Sequence, residues 1–330
     1  MHPNTTELGE ALLSNNCNES VDRAPGDPET TAFKRRARLH QALWRKSKNL
    51  PEGTQPTRPR DGVTSRPLGS RIKFEVAVQS GGNFLSSAAR EAARLRTERS
   101  EPKQTLNGDR LYADLLSSMP MCFNLFGPLW ADHTLATENL RTWWPSMPGP
   151  VSDVRFEWSP GRQLPGRYLE NRSAFDVAFE AKRPDGTAAI VGVETKYHEH
   201  CAVQRVPSEL RLARYRHVCD ASGVFKAGAI EKIVGTKLQQ IWLDHLLVLS
   251  MLQDASQMYS WGRFVLVHPS KNPSYAYAAS SYIDLLADTS TFEVRTIESL
   301  LDAPAYPAAE AKAFRERYFW NDTVASLGRM

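Results

Sequence analysis

Three charged residues stand in a stretch whose pattern otherwise predicts buried strands. Asp176, Glu194 and Lys196 lie within AFDVAFEAKRPDGTAAIVGVETKYHEH, which covers residues 174–200. A buried charge is costly unless it is paired or bound to a metal ion. A functional site therefore explains these three residues better than an accident of folding does.

The alternation of side chains along a strand decides which of these charges share a face, because residues two apart point the same way. In IVGVETKYH, Glu194 and Lys196 lie side by side with His198, and the apolar residues point to the opposite face. In AFDVAFE, Asp176 likewise lies opposite the apolar side. Each strand therefore has one apolar face and one face that carries candidate functional groups.

The turn between the two strands sets their register. Pro184-Asp185-Gly186 fits a three-residue hairpin loop, in which a type I turn is completed by a left-handed glycine. If Arg183 pairs with Thr187, Asp176 lies directly opposite Glu194. A two-residue Asp-Gly loop would shift the register by one residue and separate the carboxylates onto opposite faces. The proline favours the longer loop.

Two carboxylates at adjacent cross-strand positions repel each other unless a cation lies between them. Hard oxygen ligands of this kind select Mg²⁺ or Mn²⁺. The neighbouring Lys196 can orient a water molecule and stabilise the hydroxide formed from it. A metal ion, a positioned water and an ammonium group suit attack on a phosphodiester. The residues therefore predict metal-assisted phosphodiester hydrolysis.

The surrounding sequence predicts the elements that hold these residues. VSDVRFEWSPGR indicates a strand before the hairpin, and GRFVLVHPS and TFEVRTIE indicate strands after it. Helical spacing is found in RLYADLLSSMPMCFNLFGPLW, TLATENLRTWW, PSELRLARYRHVCDASG, EKIVGTKLQQIWLDHLLVLSMLQ and PAAEAKAFRERYFW. The order of helices, three strands, helices, strand and helix predicts an α/β fold with a mixed central sheet flanked by helices.

Asp176, the hairpin and Glu194-Thr195-Lys196 resemble the PD-(D/E)XK nuclease superfamily, which has the restriction-endonuclease-like fold. The flanks LLSSMPMCFNLFGPL and RSAFDVAFEAKRPDGTAAIVGVETKYHE are similar to a bacterial PD-(D/E)XK nuclease-like domain family. The resemblance implies an αβββαβ core in which Asp176 and Glu194 bind the metal, the carbonyl of Thr195 adds a ligand and Lys196 activates water. Phe175 occupies the place of the superfamily's usual proline.

The resemblance also implies supporting residues. Members often add an acid from an early helix and a Gln or Lys from the helix after the motif strand. Glu138 in TLATENL is a candidate for the acid, and Glu157 in RFEWSPGR competes with it. Gln239 and Gln240 in TKLQQIWLDH are candidates for the second role. His198 is a candidate for lining the substrate groove.

Composition divides the chain into two parts. Its 330 residues are 41% hydrophobic and 24% charged, as in a globular protein. Residues 1–105 are predicted to be a basic, partly disordered arm, and residues 106–330 a nuclease-like domain. Between Lys34 and Lys73 lie twelve Lys or Arg against only Glu52 and Asp61. Such a segment can neutralise phosphates, and the alternative is a solvated tail.

Cysteine usage and hydropathy indicate the compartment. The four cysteines form no C-x-x-C pair, the N-terminus has no secretory pattern, and IWLDHLLVLSMLQ is too short to cross a bilayer. A cytoplasmic protein without a membrane partner is expected. The group formed by His198, His200, Cys201, His217 and Cys219 matches no standard zinc spacing and is interpreted as core or groove-lining.

The sequence thus predicts a Mg²⁺- or Mn²⁺-dependent nuclease, a hydrolase whose partner is nucleic acid, with DNA expected over RNA. The alternative is a protein of the same fold that binds nucleic acid or acts as a scaffold without turnover. A third hypothesis is a zinc-stabilised interaction module. A metal requirement at Asp176 and Glu194 separates the first two. The sequence indicates no particular oligomeric state.

Overall fold

The computed structural model describes residues 4–17, 22–55, 65–104 and 106–327. Parts of the predicted basic arm, including Arg58, Arg60 and Asp61, lie outside the described residues. Among the described residues, no helix combines the length and the apolar character needed to cross a membrane.

A five-stranded mixed sheet forms the centre of the protein. Its strands lie in the order β3 (Val151–Trp158), β4 (Phe175–Lys182), β5 (Ala188–Thr195), β6 (Tyr259–His268) and β7 (Phe292–Thr296). The first three are antiparallel, and β5, β6 and β7 run parallel. The predicted α/β class and mixed sheet are confirmed, and the architecture is consistent with a restriction-endonuclease-like fold.

Helices cover both faces of this sheet. Before β3 come α1 (Asn4–Ser14), α2 (Pro28–Ser47), α3 (Phe74–Ser80), α4 (Ser87–Glu98), α5 (Gly108–Tyr112), α6 (Ser118–Ala131) and α7 (His133–Trp143). After β5 come α8 (Glu209–Ser222), α9 (Ala229–Ile233), α10 (Gln239–Leu252), α11 (Pro273–Ile283), α12 (Ile297–Leu301), α13 (Ala308–Tyr318) and α14 (Asp322–Ser326). A small antiparallel pair, β1 (Glu52–Thr54) and β2 (Pro67–Ile72), lies outside the central sheet.

Two hydrophobic cores fill the space between the sheet and these helices. One core joins α4, α6, α7 and α13 to the face that carries Val177 and Val193. The other joins α8, α10 and α11 to the face that carries Ala178 and Ile190. Successive side chains of β4 and β5 therefore point alternately into the two cores, as expected for a sheet covered on both sides.

The predicted hairpin register is confirmed. Val177 pairs with Val193, and the Arg183 N–H donates to the carbonyl of Thr187 at 2.9 Å. Gly186 has a φ of +84°, the left-handed conformation that the three-residue loop requires. Continued one residue beyond the valine pair, this register places Asp176 opposite Glu194.

The helical pattern after the hairpin is interrupted once. EKIVGTKLQQIWLDHLLVLSMLQ is predicted as one helical run, but the structure divides it into α9 and α10. Gly235 lies between them with a φ of +73°, which a right-handed helix cannot accommodate. The break allows the start of α10 to approach the end of β5.

The structure differs from the predicted basic arm, because the described part of that region is folded. The helix α2 begins after Asp27, whose side chain accepts from the Thr30 N–H, and its Phe33 and Ala37 are buried. Lys34, Arg38, Arg45 and Arg71 are buried as well. Part of the predicted basic surface therefore lies inside the protein, where it serves packing and ion pairing, whereas Lys46, Lys48, Arg66 and Lys73 are exposed.

Candidate active site

Carboxylates from three neighbouring strands form one row at the same end of the sheet. Glu157 of β3 lies opposite Asp176 of β4, between two paired rungs. By continuation of the hairpin register, Asp176 also lies opposite Glu194 of β5, next to the Val177–Val193 pair. Like charges at such positions repel each other. This acidic row (Glu157, Asp176 and Glu194) therefore requires protons or a cation.

The central acid of the row is fixed by the end of β5. Asp176 Oδ2 accepts hydrogen bonds from the main-chain N–H and the side-chain hydroxyl of Thr195, each at 2.7 Å. Burial raises the pKa of Asp176, against the opposing charge of Lys196 and the hydrogen bonds from Thr195. The carboxylate is thus held in place but remains costly to ionise.

Glu194 receives two donors on one oxygen. The Lys196 ammonium lies 2.7 Å from Glu194 Oε1, and the Gln240 amide donates to the same oxygen at 3.0 Å. Glu194 and Lys196 are each only 8% exposed. Burial and the charge of Asp176 raise the pKa of Glu194 to about 7. Near neutral pH, a cation would favour its ionised form.

Lys196 is held in its charged form. Burial favours the neutral amine, but the charges of Glu194 and Glu199 contribute to raising the pKa of Lys196 well above its usual value. Its ammonium also lies 5.7 Å from the centre of the Tyr275 ring. In this state Lys196 can donate hydrogen bonds and neutralise negative charge, but it has no free lone pair with which to accept a proton.

Glu157 enters the row through an unusual backbone. Its φ is +50°, and of the six non-glycine residues with positive φ in the described part of the chain, it alone lies within a strand. Its carbonyl accepts from Arg96 at 3.0 Å and from Arg162 at 2.7 Å, and these two bonds hold the conformation. Such strain persists only where surrounding contacts enforce it, and it often marks functional sites.

The pKa of Glu157 is shifted by burial and by the other two acids of the row. Burial, followed by the charges of Asp176 and Glu194, raises the pKa of Glu157 to about 8. Of the two predicted supporting acids, the structure therefore brings Glu157 to the row. Glu138 lies exposed on α7.

Of the remaining predicted supporting residues, one reaches the acidic row and two do not. Gln240 contacts Glu194, whereas Gln239 bonds to the Gly235 N–H at 2.7 Å and the Arg205 carbonyl at 2.9 Å. His198 is not beside Glu194, although alternation predicts that it shares that face. The strand β5 ends at Thr195, so the alternation no longer applies, and His198 instead lies 2.8 Å from Asp22.

Two acids near the row escaped the sequence interpretation. Asp244 lies one helical turn after Gln240 on α10, is 7% exposed, and its Oδ2 has no hydrogen-bond partner among the described residues. Burial and then Glu194 raise its pKa well above the usual value. Glu199 accepts from Ser118 Oγ at 2.8 Å. The i, i+4 spacing of Gln240 and Asp244 was the available signal for the first.

The side chains at the end of the sheet offer hard oxygen donors for a metal ion. Within the described ranges, no three His, Cys, Asp or Glu side chains converge as a metal-binding group, and this includes the cluster considered for zinc. The Asp176 and Glu194 carboxylates nevertheless fit Mg²⁺ or Mn²⁺ as hard oxygen donors. The hydrogen bonds described above use Oδ2 of Asp176 and Oε1 of Glu194, so each carboxylate retains a second oxygen that could face a cation.

Comparison with protein families identifies the class. A family model described as PD-(D/E)XK nuclease superfamily matches residues 27–320, nearly the whole chain. The chain therefore belongs to this superfamily, which confirms the resemblance drawn from Asp176 and Glu194-Thr195-Lys196. The match also includes α2, α3 and α4 from the region predicted as an arm. Comparisons with curated proteins and with solved structures gave no match.

Proposed function

We propose that this protein is a metal-dependent nuclease that hydrolyses phosphodiester bonds of nucleic acid, with DNA as the preferred substrate. Membership of the superfamily supports a nuclease-type function. The observation that carries the proposal is the acidic row, which is flanked by Lys196 and Gln240 at the end of the sheet. This concentration of negative charge against one ammonium suits a divalent cation and a phosphate.

Asp176 and Glu194 would hold Mg²⁺ or Mn²⁺, with the main-chain carbonyl of Thr195 as a further ligand. When bound, the ion would lower the pKa of a water molecule and neutralise charge on the phosphate. Glu157 lies next in the row, and once the ion is bound it would ionise and add negative charge on the β3 side. Thr195 fixes the central carboxylate through its two hydrogen bonds.

Lys196 would act through its charge. Its ammonium can orient the attacking water and stabilise negative charge that develops on the pentavalent phosphorus. Gln240 shares Glu194 Oε1 with Lys196 and so keeps that carboxylate in one orientation. These two donors leave Oε2 of Glu194 available to face a cation.

The second candidate is a protein of the same fold that binds nucleic acid without cleaving it. It is favoured by one observation: among the described residues, no three His, Cys, Asp or Glu side chains converge as a metal-binding group. Metal binding therefore discriminates between the two candidates more directly than nucleic-acid binding does.

The test compares wild type with Lys196→Ala and Asp176→Asn on single-stranded DNA, double-stranded DNA and RNA, with Mg²⁺, Mn²⁺ or EDTA. We expect cleavage that requires the metal, and a loss of about 100-fold or more in each variant. Lys312→Ala, an exposed lysine on α13, is the matched control and should cleave normally. If no polymer is cleaved and calorimetry detects no Mn²⁺ binding, the non-catalytic candidate replaces this one.

A cytoplasmic location is part of the same proposal. All four cysteines, Cys17, Cys122, Cys201 and Cys219, are free and buried. Free thiols of this kind suit a reducing compartment, where structural disulfides are rare.

A further inference from the structure

A pocket lies beside the acidic row, at the open edge of the sheet. The strand β3 has a partner on only one side, so its outer edge is free within the central sheet. The pocket has a volume of about 210 Å³ and is lined by residues of α4, the segment after it, the end of α6 and β3. Glu101 in that segment is paired with Arg96 and Arg162. The lining side chains used below are Arg96, Arg99, Trp130, Arg155, Phe156 and Trp158.

The walls of this pocket are aromatic. Trp130 and Trp158 are partly buried. The Arg155 guanidinium lies 4.9 Å from the centre of the Trp158 ring and covers one of its faces, so Trp130 is the ring that can receive a base. Phe156 is buried and stacks on Phe123 with ring centres 4.2 Å apart, which fixes its position. Aromatic faces of this kind stack on nucleobases without regard to base identity.

One cation of the pocket is available to a ligand. Arg96 is engaged by the Glu157 carbonyl at 3.0 Å, and Arg155 pairs with Asp153 at 2.6 Å. Arg99, at the end of α4, is exposed and forms no ion pair with any described residue. The mouth of an aromatic pocket therefore presents an unpaired guanidinium, a group well suited to phosphate.

The pocket is joined directly to the candidate active site. Phe156 and Trp158 are the two neighbours of Glu157 in the chain, and all three contribute to the same end of β3. Arg96 lines the pocket and also holds the Glu157 carbonyl. The pocket therefore lies next to Glu157, at the β3 end of the acidic row.

We propose that this pocket binds one unpaired nucleotide next to the phosphate that is cleaved, with the base stacked on Trp130 and a phosphate at Arg99. The inference rests on the proposed nuclease function and names its substrate class, which is single-stranded nucleic acid or a strand with an unpaired end. The volume of about 210 Å³ is below the roughly 300 to 1,000 Å³ of sites that enclose drug-sized ligands. It suits a single base, and a base within a duplex must leave its stack to enter.

The experiment uses the full chain carrying Asp176→Asn, so that the probe is not cleaved. The probe is a short single-stranded DNA that contains 2-aminopurine, whose fluorescence falls when the base stacks, and the same strand in a duplex. We expect tighter binding and stronger quenching with the single strand. Adding Trp130→Leu should abolish the quenching and weaken binding about fivefold or more, the factor that corresponds to the lower limit for one base–aromatic stack.

A second variant keeps the test independent of the folding of Trp130→Leu. Arg99→Ala should also weaken single-strand binding and reduce its salt dependence, because one phosphate contact is lost. Arg94→Ala is the matched control, since Arg94 lies on the same helix but pairs with Glu91 at 2.6 Å. It should bind as tightly as the parent protein.

The outcomes separate this inference from the proposed function. Equal binding of single strand and duplex, or normal quenching and affinity in both pocket variants, would overturn the pocket while metal-dependent cleavage by wild type still supported the nuclease. Conversely, binding that depends on the pocket, in a wild-type protein that cleaves nothing, would reject the nuclease and support a single-strand binder.

Discussion

Charged side chains are buried in two regions of this protein, and the two regions differ in whether each charge has an opposite partner. Beside α2, Arg38 donates to Asp22 through two nitrogens, at 2.5 and 2.8 Å, and its third group donates to Ser70. Asp22 in turn lies 2.8 Å from His198. Every charge in this α2 network has a partner of opposite charge or a hydrogen bond, as buried ion pairs require.

The end of the central sheet is unbalanced by comparison. Asp176 and Glu194 both raise the pKa values of Glu157 and of Asp244, and Lys196 is the cation paired with Glu194. Accordingly, the pKa of each of these four acids is raised. Burial of charge therefore does not by itself mark a site in this chain. What marks the site is an excess of one sign that the fold leaves uncompensated.

The largest effect on stability is expected from breaking the balanced region. Asp22→Ala leaves the guanidinium of Arg38, only 4% exposed, without its anion. Removal of one partner of a buried pair costs about 3 to 5 kcal/mol. The free energy of unfolding, measured by urea denaturation, should fall by that amount. Arg141→Ala, an exposed position on α7, is the control and should change it by about 0.5 kcal/mol or less.

A loss below about 1 kcal/mol for Asp22→Ala would contradict the comparison. It would mean that water reaches Arg38 and that the α2 network is not a sealed ion pair.

The opposite sign is expected in the unbalanced region. The pKa of Glu157 is about 8 in the folded protein, compared with about 4.5 for an unperturbed glutamate. Between these values the unfolded chain releases its proton while the folded protein retains it, so stability falls as pH rises from about 4.5 to 8. Glu157→Gln removes this penalty. It should stabilise the protein at pH 8 by about 1 to 3 kcal/mol and have little effect near pH 4.

The measurement is thermal or urea unfolding at both pH values, with EDTA and then with Mn²⁺. The ion should stabilise wild type at pH 8, because it supplies the missing positive charge. Glu138→Gln, at the exposed acid on α7, is the control and should leave the free energy of unfolding unchanged at both pH values. Destabilisation by Glu157→Gln at pH 8 would show that the acidic row is compensated after all.

The sequence predicted the central residues of the site but left the choice between Glu138 and Glu157 open, for a physical reason. Asp176, Glu194 and Lys196 were placed together by the period-two alternation and by Pro184-Asp185-Gly186, both of which are local. Glu157 reaches the row only through a left-handed residue held by Arg96 and Arg162, and no periodicity reveals such a conformation.

The N-terminal region was misjudged for a related reason. Its basic residues were predicted to face solvent because their partners are distant in sequence. Arg38 lies 16 residues from Asp22 and 32 from Ser70, and Arg45 bonds to the carbonyl of Gly69, 24 residues away. Composition alone cannot distinguish a cation that faces solvent from one that a later strand will cover.

The smallest effect, and the finest test of the comparison, comes from two adjacent glutamines. Gln240 donates to Glu194 in the unbalanced region, whereas Gln239 joins the break before α10 to the Arg205 carbonyl. Gln240→Ala should reduce Mn²⁺ affinity and cleavage by about threefold to tenfold, since one hydrogen bond contributes about 0.5 to 1.5 kcal/mol, and should leave stability nearly unchanged. Gln239→Ala should instead lower the free energy of unfolding by a similar amount and leave Mn²⁺ affinity intact. Calorimetry and urea denaturation on the same two proteins measure both quantities. If the two variants exchanged these effects, Gln239 and not Gln240 would be the residue that supports the acidic row.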